Sequence, residues 1–238
     1  MIGCLVIHGY TGGPFEVRPL TDYLKMNTNF HIEVPTLPGH GEILALDDVS
    51  YEKWLTAAEK SYKKLKKKTD RIFIIGFSMG GMIAAYLAAK YNVEKLVLLA
   101  TAGKYLSFAQ IGREVGEVIK DGLTGKIKDN TLYQHYKTKM GEVPIKANIE
   151  FMRLVRFTRK HLKDVDVPVL IAQGHLDSLV PYRTAYYLAK EIKSEHKEVV
   201  FFDKSKHHIC LGEDKDTLNS IVHKFLNSTS EESKHTLH

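Results

Sequence analysis

Short apolar runs alternate along the chain with segments of helical period, and this alternation limits the fold more than any other feature. The runs are Ile2 to Ile7, Phe30 to Pro35, Arg71 to Gly76, Lys95 to Thr101, Pro168 to Gln173 and Glu198 to Phe202. Most are continuously apolar, as strands buried on both faces must be, and strands covered on both faces are joined by crossover helices. The pattern predicts an α/β fold with a mainly parallel central sheet flanked by helices. Between the runs, helices are expected over Ser50 to Lys68, Met79 to Tyr91, Tyr182 to Ile192 and Thr217 to Leu226. In the first of these, Trp54, Ala58, Tyr62 and Leu65 share one face and Ser50 stands at the N-cap position.

With 238 residues, 44% of them hydrophobic, the chain holds enough apolar material for one sizeable core. No Gly/Ser/Pro-rich linker divides it, so a single domain over residues 1–238 is expected. The stretch from Gly103 to Lys163 breaks the rhythm: it is helical in pattern, supplies no strand, and reads as an inserted cap over about 103–163. Within it Phe108, Ile111, Val115, Val118, Ile119 and Leu123 form an apolar stripe, suited to packing and also to an acyl chain. The tail from about 227 to 238 is too polar to order itself.

The formal charge is +6, which raises nucleic-acid binding as a class. Lys60, Lys63, Lys64, Lys66, Lys67 and Lys68 account for much of it, crowded at the end of one helix where cations complement the dipole. No nucleic-acid motif or aromatic platform accompanies them, so a solvated face is the reading and no nucleic-acid partner is expected. No apolar stretch approaches the roughly 20 residues that cross a bilayer, so no integral membrane association is expected. Met1 to Ile7 lacks the basic lead-in and cleavage site of a secretory signal, and the expected location is cytoplasmic. Cys4 and Cys210 each lie among apolar residues and read as small hydrophobes.

The chemistry begins at Gly76-Phe77-Ser78-Met79-Gly80-Gly81, which follows a strand and opens a helix. A nucleophile elbow requires that setting: the chain turns sharply, the glycines avoid collisions, and the serine hydroxyl is presented at the helix N-terminus. A serine hydroxyl needs an imidazole to take its proton and a carboxylate to hold that imidazole. Asp177 lies just past the fifth strand and His207 a few residues beyond the sixth, so both reach the same sheet edge as Ser78. The order Ser, Asp, His along the chain is the α/β-hydrolase order. His208 is the alternative base, and Asp47 and Asp48 are surface or capping residues that offer a second choice of acid. His8 and His40, each beside a glycine turn, read as hydrogen-bonding braces, and His175 either orients the acid loop or is simply exposed.

The motifs His8-Gly9-Tyr10-Thr11-Gly12, Leu37-Pro38-Gly39-His40-Gly41, the elbow, the acid loop and the histidine loop together cover nearly the whole sequence. In them the chain resembles the carboxylesterase and monoacylglycerol lipase branch of the α/β-hydrolase family. The resemblance implies Ser78, Asp177 and His207 as the catalytic residues, with His207 preferred to His208. It also implies that the backbone N–H groups of Tyr10 and Met79 form an oxyanion hole. Short-to-medium acyl esters or monoacylglycerols are the implied small-molecule substrates. Where relatives have Ser-Gly-His, this chain has Ser205-Lys206-His207-His208, so the turn has lost its glycine and gained an imidazole. No metal-ligand spacing and no phosphate-binding loop occurs, and no cofactor is expected. The competing readings are a binding or signalling protein with a slow or silent triad, a thioesterase and an acyltransferase.

Overall fold

The computed structural model describes residues 1–104 and 143–228. Strands β1 (Ile2–Ile7), β2 (His31–Glu33), β3 (Arg71–Phe77), β4 (Lys95–Leu99), β5 (Val169–Gly174) and β6 (Lys197–Phe202) form one sheet. Their order is β2-β1-β3-β4-β5-β6, and every pairing is parallel. Successive side chains leave a strand on opposite faces, and the core divides accordingly. Leu5, Ile7, Ile72, Ile74, Leu96, Leu98, Val169 and Ile171 pack into one cluster. Their neighbours Cys4, Val6, Phe73, Ile75, Val97, Leu99, Leu170 and Ala172 pack into the other.

The first face is covered by α2 (Tyr51–Lys66), α3 (Met79–Lys90), α4 (Ile145–Thr158) and α5 (Arg183–Glu191). The second is covered by α1 (Arg18–Asn27) and α6 (Lys215–Asn227). Every residue of α3 from Met79 to Ala88 is buried, so this helix has no solvent stripe and sits behind the central strands. The predicted helices over 50–68, 79–91, 182–192 and 217–226 coincide with α2, α3, α5 and α6 to within a few residues. The alternating pattern does not announce α1. It buries only Leu20, Thr21 and Leu24 and enters through a short 3₁₀ turn, Pro14–Val17.

Three local differences from expectation have physical causes. The run Phe30 to Pro35 pairs only over His31–Glu33, because Pro35 lacks the N–H a ladder needs and Phe30 turns its ring onto Phe73. The run ending at Thr101 stops pairing at Leu99, where Ala100 takes a positive φ of 43° and redirects the chain. Ser50 has the extended backbone of an N-cap but makes no side-chain cap bond. The N–H of Tyr51 instead donates to Oε2 of Glu150 at 3.1 Å, so α4 caps α2 from 99 residues away.

Glu150 belongs to the described end of the predicted insertion. There α4 packs into the main helical layer through Phe151, Leu154 and Val155. The apolar stripe from Phe108 to Leu123 and the end of the predicted tail lie outside the described residues. The clustered lysines of α2 are all exposed, and Lys64 pairs with Glu33. No helix among the described residues is long and apolar enough to cross a membrane.

Lys95 opens β4 yet is buried, and its ammonium closes the end of α6. Nζ donates to the carbonyls of Phe225 at 2.5 Å and Ser228 at 2.7 Å, and to Ser228 Oγ at 3.0 Å. A cation there satisfies carbonyls that the helix leaves without partners and complements the dipole. Lys95→Met is expected to lower the unfolding free energy by about 1.5–3 kcal/mol in a denaturant titration, the loss typical of charge-assisted hydrogen bonds.

Cys4 and Cys210 are free thiols within the second cluster, and burial pushes both up to about 12. At pH 8 roughly one in 10⁴ of such groups is thiolate. Dithionitrobenzoate should therefore find no reactive thiol in the native protein and two after denaturation.

Candidate active site

The strand order runs outward in opposite directions from β1 and β3, so the loops leaving these neighbours diverge and open a crevice at the carboxyl edge of the sheet. Register then decides which residues meet there. Ile7 lies opposite Gly76, which sets the loop beginning at His8 beside Phe77 and Ser78. Gly174 lies opposite Phe202, which sets the acid loop beside the histidine loop. His207 is five residues past β6, a reach of about 17 Å when extended, against about 14 Å for three strand spacings back to β3. The loop is long enough to cross β5 and β4, with little to spare.

At the elbow Ser78 has φ 52° and ψ −116°, a conformation that costs about 1–3 kcal/mol for a residue with a side chain. One or two fully buried isoleucines such as Ile74 and Ile75 offset that much. The turn is closed by the Ser78 N–H donating to the Leu99 carbonyl at 2.8 Å and by the Ala102 N–H donating to the Ser78 carbonyl at 3.2 Å. Gly80 lies so close to β1 that a Cβ there would collide with the carbonyl oxygens of Ile7 and His8. Ser78 stands at the N-cap of α3 and Met79 is its first residue, so the Met79 N–H lies in the first turn, outside the intrahelical ladder.

The structure brings Ser78, His207 and Asp177 into one chain of hydrogen bonds. His207 Nε2 is 2.9 Å from Ser78 Oγ, and His207 Nδ1 is 2.8 Å from Asp177 Oδ2. All three residues are buried. The carboxylate only accepts, so Nδ1 carries the proton and donates, leaving the Nε2 lone pair facing the serine hydroxyl. Asp177 is itself held from every side. Oδ1 accepts the N–H groups of Leu179 at 3.0 Å and Val180 at 2.8 Å, and Oδ2 also accepts from Gln173 Nε2 at 2.9 Å. Gln173 donates in addition to the Val180 carbonyl, which ties the loop to the end of β5.

The histidine loop is anchored by Ser205 Oγ donating to Asp214 at 2.8 Å and by the Leu176 N–H donating to the Ser205 carbonyl at 3.2 Å. Among described non-glycine residues, positive φ occurs only at Thr11, Ser78 and Ala100. Lys206 therefore follows an ordinary backbone path, and the turn needs no glycine there. His208 faces away from Ser78 and places Nε2 3.5 Å from Glu16 Oε1.

His8 links two loops: Nε2 accepts the Leu37 N–H at 3.0 Å, so Nδ1 carries the proton and donates to the Gly9 carbonyl at 2.8 Å. His40 Nδ1 lies 3.0 Å from the Pro38 carbonyl, its ring packed near Trp54 and Tyr10. The Tyr10 ring stacks on Phe151 at 4.7 Å, and its hydroxyl donates to Asn148 at 3.0 Å, so α4 supports this loop. Asp47 and Asp48 are exposed away from the relay, and Asp48 meets Lys146. His175 is exposed, stacked on Phe201 and 2.6 Å from Asp203.

Residues 4–215 match the family model described as serine aminopeptidase, S33. The chain belongs to that family. It is 28% identical to a thermostable monoacylglycerol lipase of Bacillus sp. (strain H-257) over 218 residues, covering 90% of this chain and 85% of the lipase. It is 24% identical to a carboxylesterase of Bacillus subtilis (strain 168) over 235 residues, covering 93% and 91%. A solved structure from a study of two metagenome-derived lipolytic enzymes superposes with a TM-score of 0.75 at 20% identity, covering 94% of this chain and 93% of that one. The α/β-hydrolase fold expected from the sequence is the fold observed.

Gln173, near the end of β5, and Glu16, four residues past the His8 to Gly12 motif, are buried polar groups that motif and period do not single out. A glutamine closing an otherwise apolar strand was the available signal for the first. The elbow itself makes a steric demand: Gly80→Ala should destabilise the protein by about 1–3 kcal/mol, as overpacking does, read from the midpoint of denaturant unfolding.

Proposed function

We propose that the protein is a serine hydrolase that cleaves carboxylic esters, with short-to-medium acyl esters or monoacylglycerols as substrates, through an acyl-enzyme on Ser78. The observation that carries this reading is the unbroken relay from Ser78 Oγ through His207 to Asp177. As Oγ attacks the ester carbonyl, its proton passes to His207 Nε2, and Asp177 stabilises the resulting imidazolium. The tetrahedral oxyanion is received by the backbone N–H groups of Tyr10 and Met79, each such donor contributing about 10²–10³ in rate. His207 then protonates the departing alcohol. A water deprotonated by the same nitrogen releases the carboxylic acid and restores Ser78. No step calls on a cofactor.

The stretch from Gly103 to Lys163 is the proposed cap over the acyl pocket, within one domain. The exposed Ile145, Ile149 and Met152 of α4 supply apolar surface in keeping with that role. Ester cleavage is favoured over the peptide cleavage in the family's name by the similarity to a lipase and a carboxylesterase over most of their length.

Purified protein should hydrolyse p-nitrophenyl esters and monoacylglycerols much faster than aminoacyl p-nitroanilides, and a fluorophosphonate should label Ser78, as peptide mass spectrometry reads. Ser78→Ala is expected to lower kcat by about 10⁶ and Asp177→Asn by about 10⁴, the latter by freeing the wrong tautomer. Undiminished turnover in the serine variant would end the assignment. A labelled serine without ester turnover would favour thioesters, acyl transfer or a silent binding protein.

A further inference from the structure

Glu16 is a buried acidic group beside the proposed chemistry that the mechanism leaves unused. It lies in the 3₁₀ turn Pro14–Val17, and its side chain is only 1% exposed. A carboxylate taken out of water costs several kcal/mol unless donors surround it. Polar groups beside it come from two different loops of the proposed site. Oε2 accepts the Gly9 N–H at 2.9 Å, one residue before the proposed oxyanion donor Tyr10. Oε1 lies 3.5 Å from Nε2 of His208, the residue after the proposed base.

The surrounding loop is shaped around this carboxyl group. A Cβ on Gly12 would overlap the Glu16 carboxyl atoms, so the glycine-rich turn leaves the volume that Glu16 occupies. Phe77 fills the space between the loops, its ring 5.2 Å from His207 and 5.7 Å from His208, and a Cβ on Gly9 would stand 3.1 Å from the same ring. Lys206-His207-His208 thus places two imidazoles edge to face at 5.6 Å, one beside Ser78 and one beside Glu16.

We propose that Glu16 and His208 are positioning residues that bolt the oxyanion loop to the histidine loop, fixing the Tyr10 amide relative to His207 Nε2. The inference rests on the ester-hydrolase reading and extends it to a pair of residues that touch neither substrate nor reacting atoms. A displaced oxyanion donor penalises the transition state far more than the bound ester, so the effect falls on kcat rather than KM.

Steady-state hydrolysis of p-nitrophenyl butyrate by the full chain tests this. Glu16→Ala should lower kcat about 10–100-fold with KM within about twofold, less than outright loss of an oxyanion donor. Glu16→Gln keeps an oxygen for the Gly9 N–H and should recover most of that loss, a rescue that simple filling of volume by Glu16→Leu should not reproduce. If Glu16→Ala does not fold, the cycle of Glu16→Leu, His208→Leu and the double variant decides: a coupling of threefold or more in kcat supports the bolt, and independent effects overturn it. Full kcat in a folded Glu16→Ala beside an active wild type would overturn the bolt alone. An inactive wild type would overturn the ester-hydrolase reading and the bolt with it.

Discussion

The parallel pairing of β1 with β3 is the interaction on which the rest of the molecule depends. It sets Ile7 opposite Gly76, and a slip by one residue would exchange the faces of every side chain in these strands. Both clusters are apolar, so what opposes such a slip is fit: Leu5 and Ile7 fill one, and the smaller Cys4 and Val6 the other. Register is thus enforced by packing and used for chemistry. The same pairing brings the glycine loop after β1 against the elbow after β3, close enough that Gly80 touches the β1 backbone.

Strain and order are distributed unevenly around that pairing. Ser78 is held in a costly conformation by hydrogen bonds to Leu99 and Ala102, while Asp177 is surrounded by donors that leave neither oxygen free to turn. The imidazole between them has one tautomer available, because Nδ1 faces a pure acceptor. Little rearrangement then separates the resting arrangement from one able to transfer a proton, which is the condition electrostatic preorganisation requires. The buried Glu16 extends the same logic to the loop on the far side of Ser78.

Much of the architecture was legible in the sequence because period and apolarity are local. Five of the six strands and four helices follow from runs such as Ile2 to Ile7 and the face of Trp54, Ala58, Tyr62 and Leu65 with little adjustment. Helix α1 was not legible, since three buried residues behind a proline-led turn make a weak pattern. Nor was the capping of α2 by Glu150, because Ser50 carried the local signal and the actual acceptor comes from a distant helix.

The sequence by itself determined the fold class, the elbow at Ser78 and the order in which hydroxyl, carboxylate and imidazole occur, because motifs and periodicities are properties of neighbouring residues. Only the tertiary structure decided which of two adjacent imidazoles meets Ser78, since His207 and His208 are alike in sequence and differ in the direction the backbone points them. It also decided that Gln173 holds Asp177 and that Glu16 joins two loops. Those contacts follow from sheet order and the reach of loops across strand ends, and such distances do not exist until the chain has folded.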